Sequence, residues 1–330
     1  MKLFNLVSKD IGIDLGTANI LITLKGKGIV LKEPSVVAID KRKQTVLATG
    51  FEAKEMLGRT PENIKAVKPM KDGVIADLSA TQIMLKKMLQ KVCNRYNAGR
   101  PRVVVGVPSG ITEVEERAVE EAVLQAGARE VYLIEEPMAA AIGSNINVAE
   151  PTGNIIVDIG GGTTDIAILS LGNIVTSQSI KTAGNTFDQN IVDYIKEKYK
   201  LLIGEKTAES IKINIGTVKQ GKAKEKMKVK GRDLIGGLPK TITITSEEIE
   251  ISLKESINKI VSAMKLVLEQ TPPELAADII EKGIVLTGGG ALLSGLAEFF
   301  QEELKVPVKK AKDPLSCVAE GTGIMLEKLC

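Results

Sequence analysis

Runs of β-branched residues alternate along this chain with apolar positions spaced three to four apart, which predicts strands separated by helices. Ile11-Gly12-Ile13-Asp14-Leu15 reads as an apolar strand, Gly16-Thr17-Ala18-Asn19 as a turn, and Ile20 to Leu24 as a second strand. The same order returns at Ile155-Ile156-Val157-Asp158-Ile159, Gly160-Gly161-Gly162-Thr163-Thr164-Asp165 and Ile166 to Leu169. A unit repeated this far along the chain predicts two similar half-domains.

Between and after these units the pattern continues to alternate. Arg102 to Val107 is a Val-rich buried strand broken by Pro108-Ser109-Gly110. The next helix has Thr112 as N-cap, Glu115 completing a capping box, and Gly127 as its stop. Val114, Ala118, Ala122 and Ala126 recur every four residues along it, which reads as a core-facing stripe. A strand runs from Glu130 to Ile134, and a helix of small residues, Met138 to Ile142, follows with Pro137 at its first turn. The longest helix starts near Thr245 with Glu248 in capping-box position. It carries a stripe of Leu253, Ile257, Ile260, Val261, Met264, Val267 and Leu268, and Thr271-Pro272-Pro273 stops it. A strand from Gly283 to Leu286 then enters Thr287-Gly288-Gly289-Gly290, with a helix expected from about Leu292. These alternations indicate an α/β fold without a low-complexity linker.

Composition narrows the chemistry. The chain has 330 residues, 44% hydrophobic and 26% charged, which suits two cores. Its net charge of +3 gives no argument for a nucleic-acid partner. Histidine is absent, which removes Ser-His-Asp and Cys-His hydrolysis and most zinc sites. Tryptophan is absent and aromatic residues make up 3%, so base stacking is not the expected binding mode. Cys93, Cys317 and Cys330 are widely separated and fit a reducing compartment better than a disulfide framework. No apolar run approaches the roughly 18 residues of a bilayer span, and no signal peptide is expected.

The glycine turns carry the candidate chemistry. Glycine lets backbone N–H groups approach an anion closely. Each turn could cradle phosphates while Asp14 and Asp158 help to hold a hydrated Mg²⁺ against them. The Gly288-Gly289-Gly290 turn is a third such feature. No G-x-x-x-x-G-K-[ST] pattern occurs, so the arrangement is not a P-loop. Glu136 reads either as a helix-start acid favoured by the macrodipole or as a general base. Asp165 and Glu135 read as supporting groups.

Taken together, Asp14 to Asn19, Glu33-Pro34-Ser35-Val36-Val37, Glu135 to Gly143, Asp158 to Asp165, Gly204 to Glu209 and Leu286 to Gly290 resemble the actin, heat-shock-chaperone and sugar-kinase superfamily. Within it they resemble most closely the MreB family of bacterial actins. The resemblance implies an actin-like ATPase fold, with two similar domains, each of an inner and an outer subdomain, around a nucleotide cleft. The expected segments are 1–32, 79–143 and 313–330 for subdomain IA, 33–78 for IB, 144–180 and 241–312 for IIA, and 181–240 for IIB.

It also implies residue roles. Gly16, Thr17, Ala18 and Asn19 would contact the phosphates of ATP from the first loop, and Gly160, Gly161 and Gly162 from the second. Asp14 and Asp158 would position Mg²⁺ through water. Glu136 would orient or deprotonate the attacking water, with Thr163 beside it. Glu209 and Lys212 would flank the ribose and adenine, and Gly288, Gly289 and Gly290 would underlie the base and α-phosphate.

The implied activity is Mg-dependent ATP hydrolysis coupled to filament assembly, in the service of wall synthesis and rod shape. A chaperone-type ATPase or a small-molecule kinase of the same superfamily is the alternative. The implied partners are the chain itself, in head-to-tail protofilaments paired antiparallel, and membrane-embedded cell-shape proteins. Val114 is a candidate pairing contact, although its place in the four-residue stripe equally suits the core. The implied location is the cytoplasm, on the inner face of the membrane.

Two segments bear on that surface. Leu3, Phe4, Leu6 and Val7, flanked by Lys2 and Lys9, form either a strand or tail packed on its own domain or a membrane-surface anchor. The segment Asn94 to Arg100 lacks the bulky apolar pair of many relatives and offers only Tyr96 for insertion. Finally, Lys219 to Arg232 is strongly cationic, with alternating lysines from Lys224. It reads as an exposed edge strand guarded by lysine, or as a docking patch for anionic lipid or a partner.

Overall fold

In the computed structural model, which describes residues 10–43, 45–96, 99–219 and 225–328, the apolar run Ile11–Leu15 is the central strand of a five-stranded sheet. The sheet runs Glu130–Glu135, Arg102–Val107, Ile11–Leu15, Asn19–Leu24, Gly28–Pro34. Ile11–Leu15 is parallel to Arg102–Val107 and antiparallel to Asn19–Leu24. Ile11, Ile13 and Leu15 share one core with Met84, Leu85 and Met88 of the helix Leu78–Tyr96 and with Val119 and Val123 of the helix Glu113–Ala126. Gly12 points to the other face, where the helix Cys317–Lys328 brings the Thr322 hydroxyl against it. Covered on both faces, the central strands are near-continuous hydrophobic runs. These elements belong to one unit, Met1–Glu150 with Leu315–Cys330.

The second unit, Pro151–Pro314, repeats the plan. Its sheet runs Asn173–Ile180, Thr164–Ser170, Asn154–Ile159, Ile284–Thr287, Val308–Lys310, with the central strand again antiparallel to its hairpin partner and parallel to the strand on its other side. The register repeats as well. Asp14 lies opposite Leu21 and Gly106, and Asp158 lies opposite Asp165 and Thr287. The long helix Ser246–Glu269 buries Leu253, Ile257, Ile260, Val261, Met264 and Val267 in this core, while Leu268 is half-buried. Its capping box is formed: Glu248 accepts from the Thr245 amide at 2.9 Å. Glu248 also accepts from Lys198 at 2.7 Å and Tyr199 at 2.6 Å, which fastens the end of the helix Gly184–Tyr199 to it.

Each unit also carries a small three-stranded sheet. In the first, Val37–Asp40 lies between Thr45–Thr49 and Ile64–Val67 and packs on the helix Phe51–Met56 through Val36, Ala38 and Ala53. In the second, Lys226–Asp233 lies between Leu201–Leu202 and Pro239–Thr245.

Three expectations change. The capping box of Thr112 and Glu115 is present, yet Val114 is 76% exposed and the buried face is Val119, Ala122, Val123 and Ala126. A four-residue repeat drifts about 40° per step on a helix of 3.6 residues per turn, so the first member of the stripe leaves the core. The helix expected from about Leu292 begins later, at Leu296, after a short 3₁₀ turn, Gly289–Leu292. The lysine strand is not a free edge along its whole length, because Arg232 and Asp233 pair with Leu202 and Leu201.

Candidate functional site

In the first unit the candidate residues collect at one end of the five-stranded sheet. Asp14 is one residue from the end of the central strand. Gly106 is its neighbour on the parallel strand, and Ile134 lies beyond Gly106. Glu136 follows the third strand directly and opens the helix Glu136–Gly143, where it is buried. Gly106 makes room for it, since a Cβ there would lie 3.5 Å from Glu136 Cγ. The helix behind Glu136 touches Cys317–Lys328 backbone to backbone. A Cβ on Gly143 would meet the Cys317 carbonyl at 1.9 Å, and one on Gly321 the Ala139 carbonyl at 1.8 Å.

The turn after Asp14 is held from below. Ser35 donates its hydroxyl to the Gly16 carbonyl at 2.5 Å and its amide to the Ala18 carbonyl at 3.0 Å. Thr17 is buried and accepts from the Gly73 amide at 3.0 Å. Asn19 begins the returning strand opposite Pro34. The carbonyls of Gly16 and Ala18 are thus tied down by Ser35.

In the second unit the equivalent end of the sheet is more enclosed. Asp158 is buried and accepts from the Thr287 hydroxyl at 2.8 Å. Burial pushes its carboxyl up to about 7; the Thr287 bond opposes this and the facing Asp165 adds to it. The Gly160 amide closes the turn on the Thr163 carbonyl at 2.9 Å, while the Gly160 and Gly161 carbonyls accept from Gly184 at 3.1 Å and Asn185 at 2.8 Å. Gly288 stands at φ +78°, its amide on the Pro314 carbonyl at 2.8 Å, and a Cβ there would meet Asp158 Oδ1 at 2.8 Å. Gly290 packs on Ile159, and Gly289 opens the 3₁₀ turn between them.

Lys212 and Glu209 lie one turn apart on the helix Glu205–Ile215. The Lys212 ammonium is 2.8 Å from the Gly184 carbonyl and 2.9 Å from Asp188, so it braces the start of the helix Gly184–Tyr199 against the glycine turn. The second unit therefore brings together Asp158, Gly160 to Thr163, Gly288 to Gly290 and Lys212. Two of the expected cradle amides, those of Gly160 and Gly288, are consumed inside the fold. Ser35, Gly184, Asn185, Asp188 and Thr287 were not legible as site-building residues. Ser35 and Thr287 entered the sequence reading only as members of the resembling stretches Glu33 to Val37 and Leu286 to Gly290.

This arrangement suits an anion and a hydrated cation. Paired amides next to a carboxylate form a phosphate-binding concavity. Among the described residues, no group of three or more His, Cys, Asp or Glu residues is placed to hold a metal ion.

Leu3, Phe4, Leu6 and Val7 lie outside the described residues, as do parts of the Asn94 to Arg100 and Lys219 to Arg232 segments. Among the described residues no helix is long and apolar enough to cross a membrane.

The fold is that of the actin-like ATPases: the chain overlays MreB5 of Spiroplasma citri bound to ADP with a TM-score of 0.93 and 42% identity, covering 98% of each chain. The same protein bound to AMPPNP matches with a TM-score of 0.91 and 42% identity, over 97% of this chain and 96% of that one. The MreB/Mbl protein family model matches residues 8–330, and the chain belongs to that family. It is 56% identical to the cell shape-determining protein Mbl of Bacillus subtilis, over 98% of this chain and 97% of the relative. It is 52% identical to the cell shape-determining protein MreB of Escherichia coli, over 99% and 96%.

Proposed function

We propose that this chain is a bacterial actin that binds and hydrolyses Mg-ATP, polymerises with its own kind, and organises wall synthesis from filaments on the inner face of the membrane. The carrying observation is the repeated register: Asp14 and Asp158 occupy equivalent positions, each followed by a turn whose carbonyls are tied down. The nucleotides in the Spiroplasma structures and the names of the Bacillus and Escherichia relatives support the same reading.

In this reading Gly16, Thr17, Ala18 and Asn19 contact phosphate from the first unit, and Gly161 and Gly162 from the second. Gly160 and Gly288 shape their turns rather than donate. Asp14 and Asp158 would hold Mg²⁺ through water. Glu136 takes the proton of the attacking water, with Thr163 orienting it. Glu209, Gly289 and Gly290 border the nucleoside, and Lys212 positions the turn that receives it. When bound there, Mg²⁺ would supply charge neutralisation of the phosphates. Val114 contributes to antiparallel pairing, and Leu3, Phe4, Leu6 and Val7 to the membrane surface.

Sedimentation with ATP, together with phosphate release and sugar acceptors, tests the assignment. ATP-dependent pelleting without acceptor phosphorylation is expected. Glu136→Ala should lower phosphate release by about 10²-fold or more while nucleotide binding persists. Near-normal turnover by that variant removes Glu136 from the catalytic role, and phosphorylation of an acceptor contradicts the filament reading.

A further inference from the structure

The alternating lysines are a sequence motif that nucleotide chemistry leaves unused. They form the strand Lys226–Asp233, paired with Pro239–Thr245 so that Lys228 lies opposite Thr243, Lys230 opposite Thr241 and Arg232 opposite Pro239. Val229, Ile242 and Ile244 face the core, with Met227 half-buried on the same side. Lys226, Lys228, Lys230 and Arg232 are exposed on the outer side, together with Thr241 and Thr243.

No acidic residue occupies an outward position on either strand. Among the described residues none of these cations pairs with a carboxylate, whereas Lys198, Lys212, Lys240, Lys259 and Lys265 of the same unit each do. Alternate side chains on a strand recur at about 6.6–6.8 Å, so the row is about 20 Å long and one residue wide. Like charges held at that spacing repel one another, and among the described residues no carboxylate is paired with the row. Beyond Arg232 the strand runs into a turn whose Ile235 and Leu238 are 83% and 70% exposed.

We propose that this face docks an extended acidic polypeptide segment, with carboxylates at alternate positions matching the row and an apolar residue beyond them meeting Ile235 and Leu238. An extended chain presents alternate side chains at the same repeat as the cations. A bilayer engages a broad area rather than a single row. A single-stranded nucleic acid stacks its bases on aromatic residues, and the outward positions here hold none. The inference is independent of the nucleotide reading.

The test is fluorescence anisotropy of a labelled peptide in which glutamates alternate with threonines and a leucine follows, titrated with the full chain. Oligothymidylate and phosphatidylglycerol vesicles serve as comparison probes. Saturable peptide binding is expected, falling at least about tenfold in the Lys228→Glu, Lys230→Glu double variant. It should fall likewise for the unaltered protein between about 50 and about 300 mM salt. Melting temperature and nucleotide binding should stay unchanged. The Lys228→Gln, Lys230→Gln variant should weaken binding in the same direction, which keeps the test valid if charge reversal disturbs the fold. Peptide affinity unchanged in both double variants overturns the proposal. So does charge-dependent binding of the oligonucleotide or the vesicles in preference to the peptide.

Discussion

The Thr287 hydroxyl donates to Asp158 Oδ1 at 2.8 Å, and this bond opposes the burial and the facing Asp165 that raise the carboxyl to about 7. The group therefore titrates near neutral pH. Mg-nucleotide affinity should rise between about pH 6 and pH 8, because the ionised carboxylate is the form that would hold the metal's waters in the proposed site. Thr287→Val removes the opposing bond and should move the midpoint upward. Asp158→Asn should remove this pH dependence. Titration of a fluorescent nucleotide across the range checks all three.

Nucleotide-free stability should run the other way. The folded-state value of about 7 lies above the ordinary aspartate value of 3.8, so the folded protein binds the extra proton. The contribution to stability is full below about pH 4 and is lost as pH rises through about 7. Melting temperature without nucleotide should fall from about pH 6 to pH 8 more in the unaltered protein than in Asp158→Asn. An equal decline in both assigns the dependence elsewhere.

The contact between Glu136–Gly143 and Cys317–Lys328 leaves no space for a side chain at Gly143 or Gly321, because carbonyl groups stand 1.9 and 1.8 Å from the absent Cβ atoms. Gly143→Ala should cost about 1–3 kcal/mol or more by overpacking, read as a lower urea midpoint with little change in slope. Because the displaced helix carries Glu136, phosphate release should fall as well. Unchanged stability would mean that the helices separate freely.

Val114 is 76% exposed, so Val114→Asp should leave melting within about 0.5 kcal/mol of the unaltered protein. If this helix pairs protofilaments, electron microscopy of the variant with ATP should show single protofilaments in place of pairs. Undiminished pairing moves the contact to another surface.

Much of the fold was legible from local signals. Ile- and Val-rich strands flanking each aspartate-led turn gave the duplicated hairpins, and Thr112 with Glu115 and Thr245 with Glu248 gave two helix starts, because a cap and its partner lie three residues apart. What stayed hidden depends on distant pairs. Thr287 reaches Asp158 across 129 residues, and Ser35 reaches Gly16 across 19. Lys212 carried a nucleotide role by resemblance, yet its ammonium is held by Gly184 and Asp188, a partnership no spacing rule reveals. For Val114 the sequence left surface and core equally open, because an i, i+4 repeat imitates a buried stripe, whereas the observed buried face mixes spacings of three and four.

Isothermal titration of the full chain with Mg-ATP-γ-S, repeated for Asp14→Ala and Asp158→Ala, tests the central claim most directly. One nucleotide per chain is predicted, with either substitution weakening it at least about tenfold and the double variant adding little to the greater single loss. Two nucleotides per chain, or unaltered affinity in either single variant, would contradict the claim that both aspartates serve the same bound nucleotide.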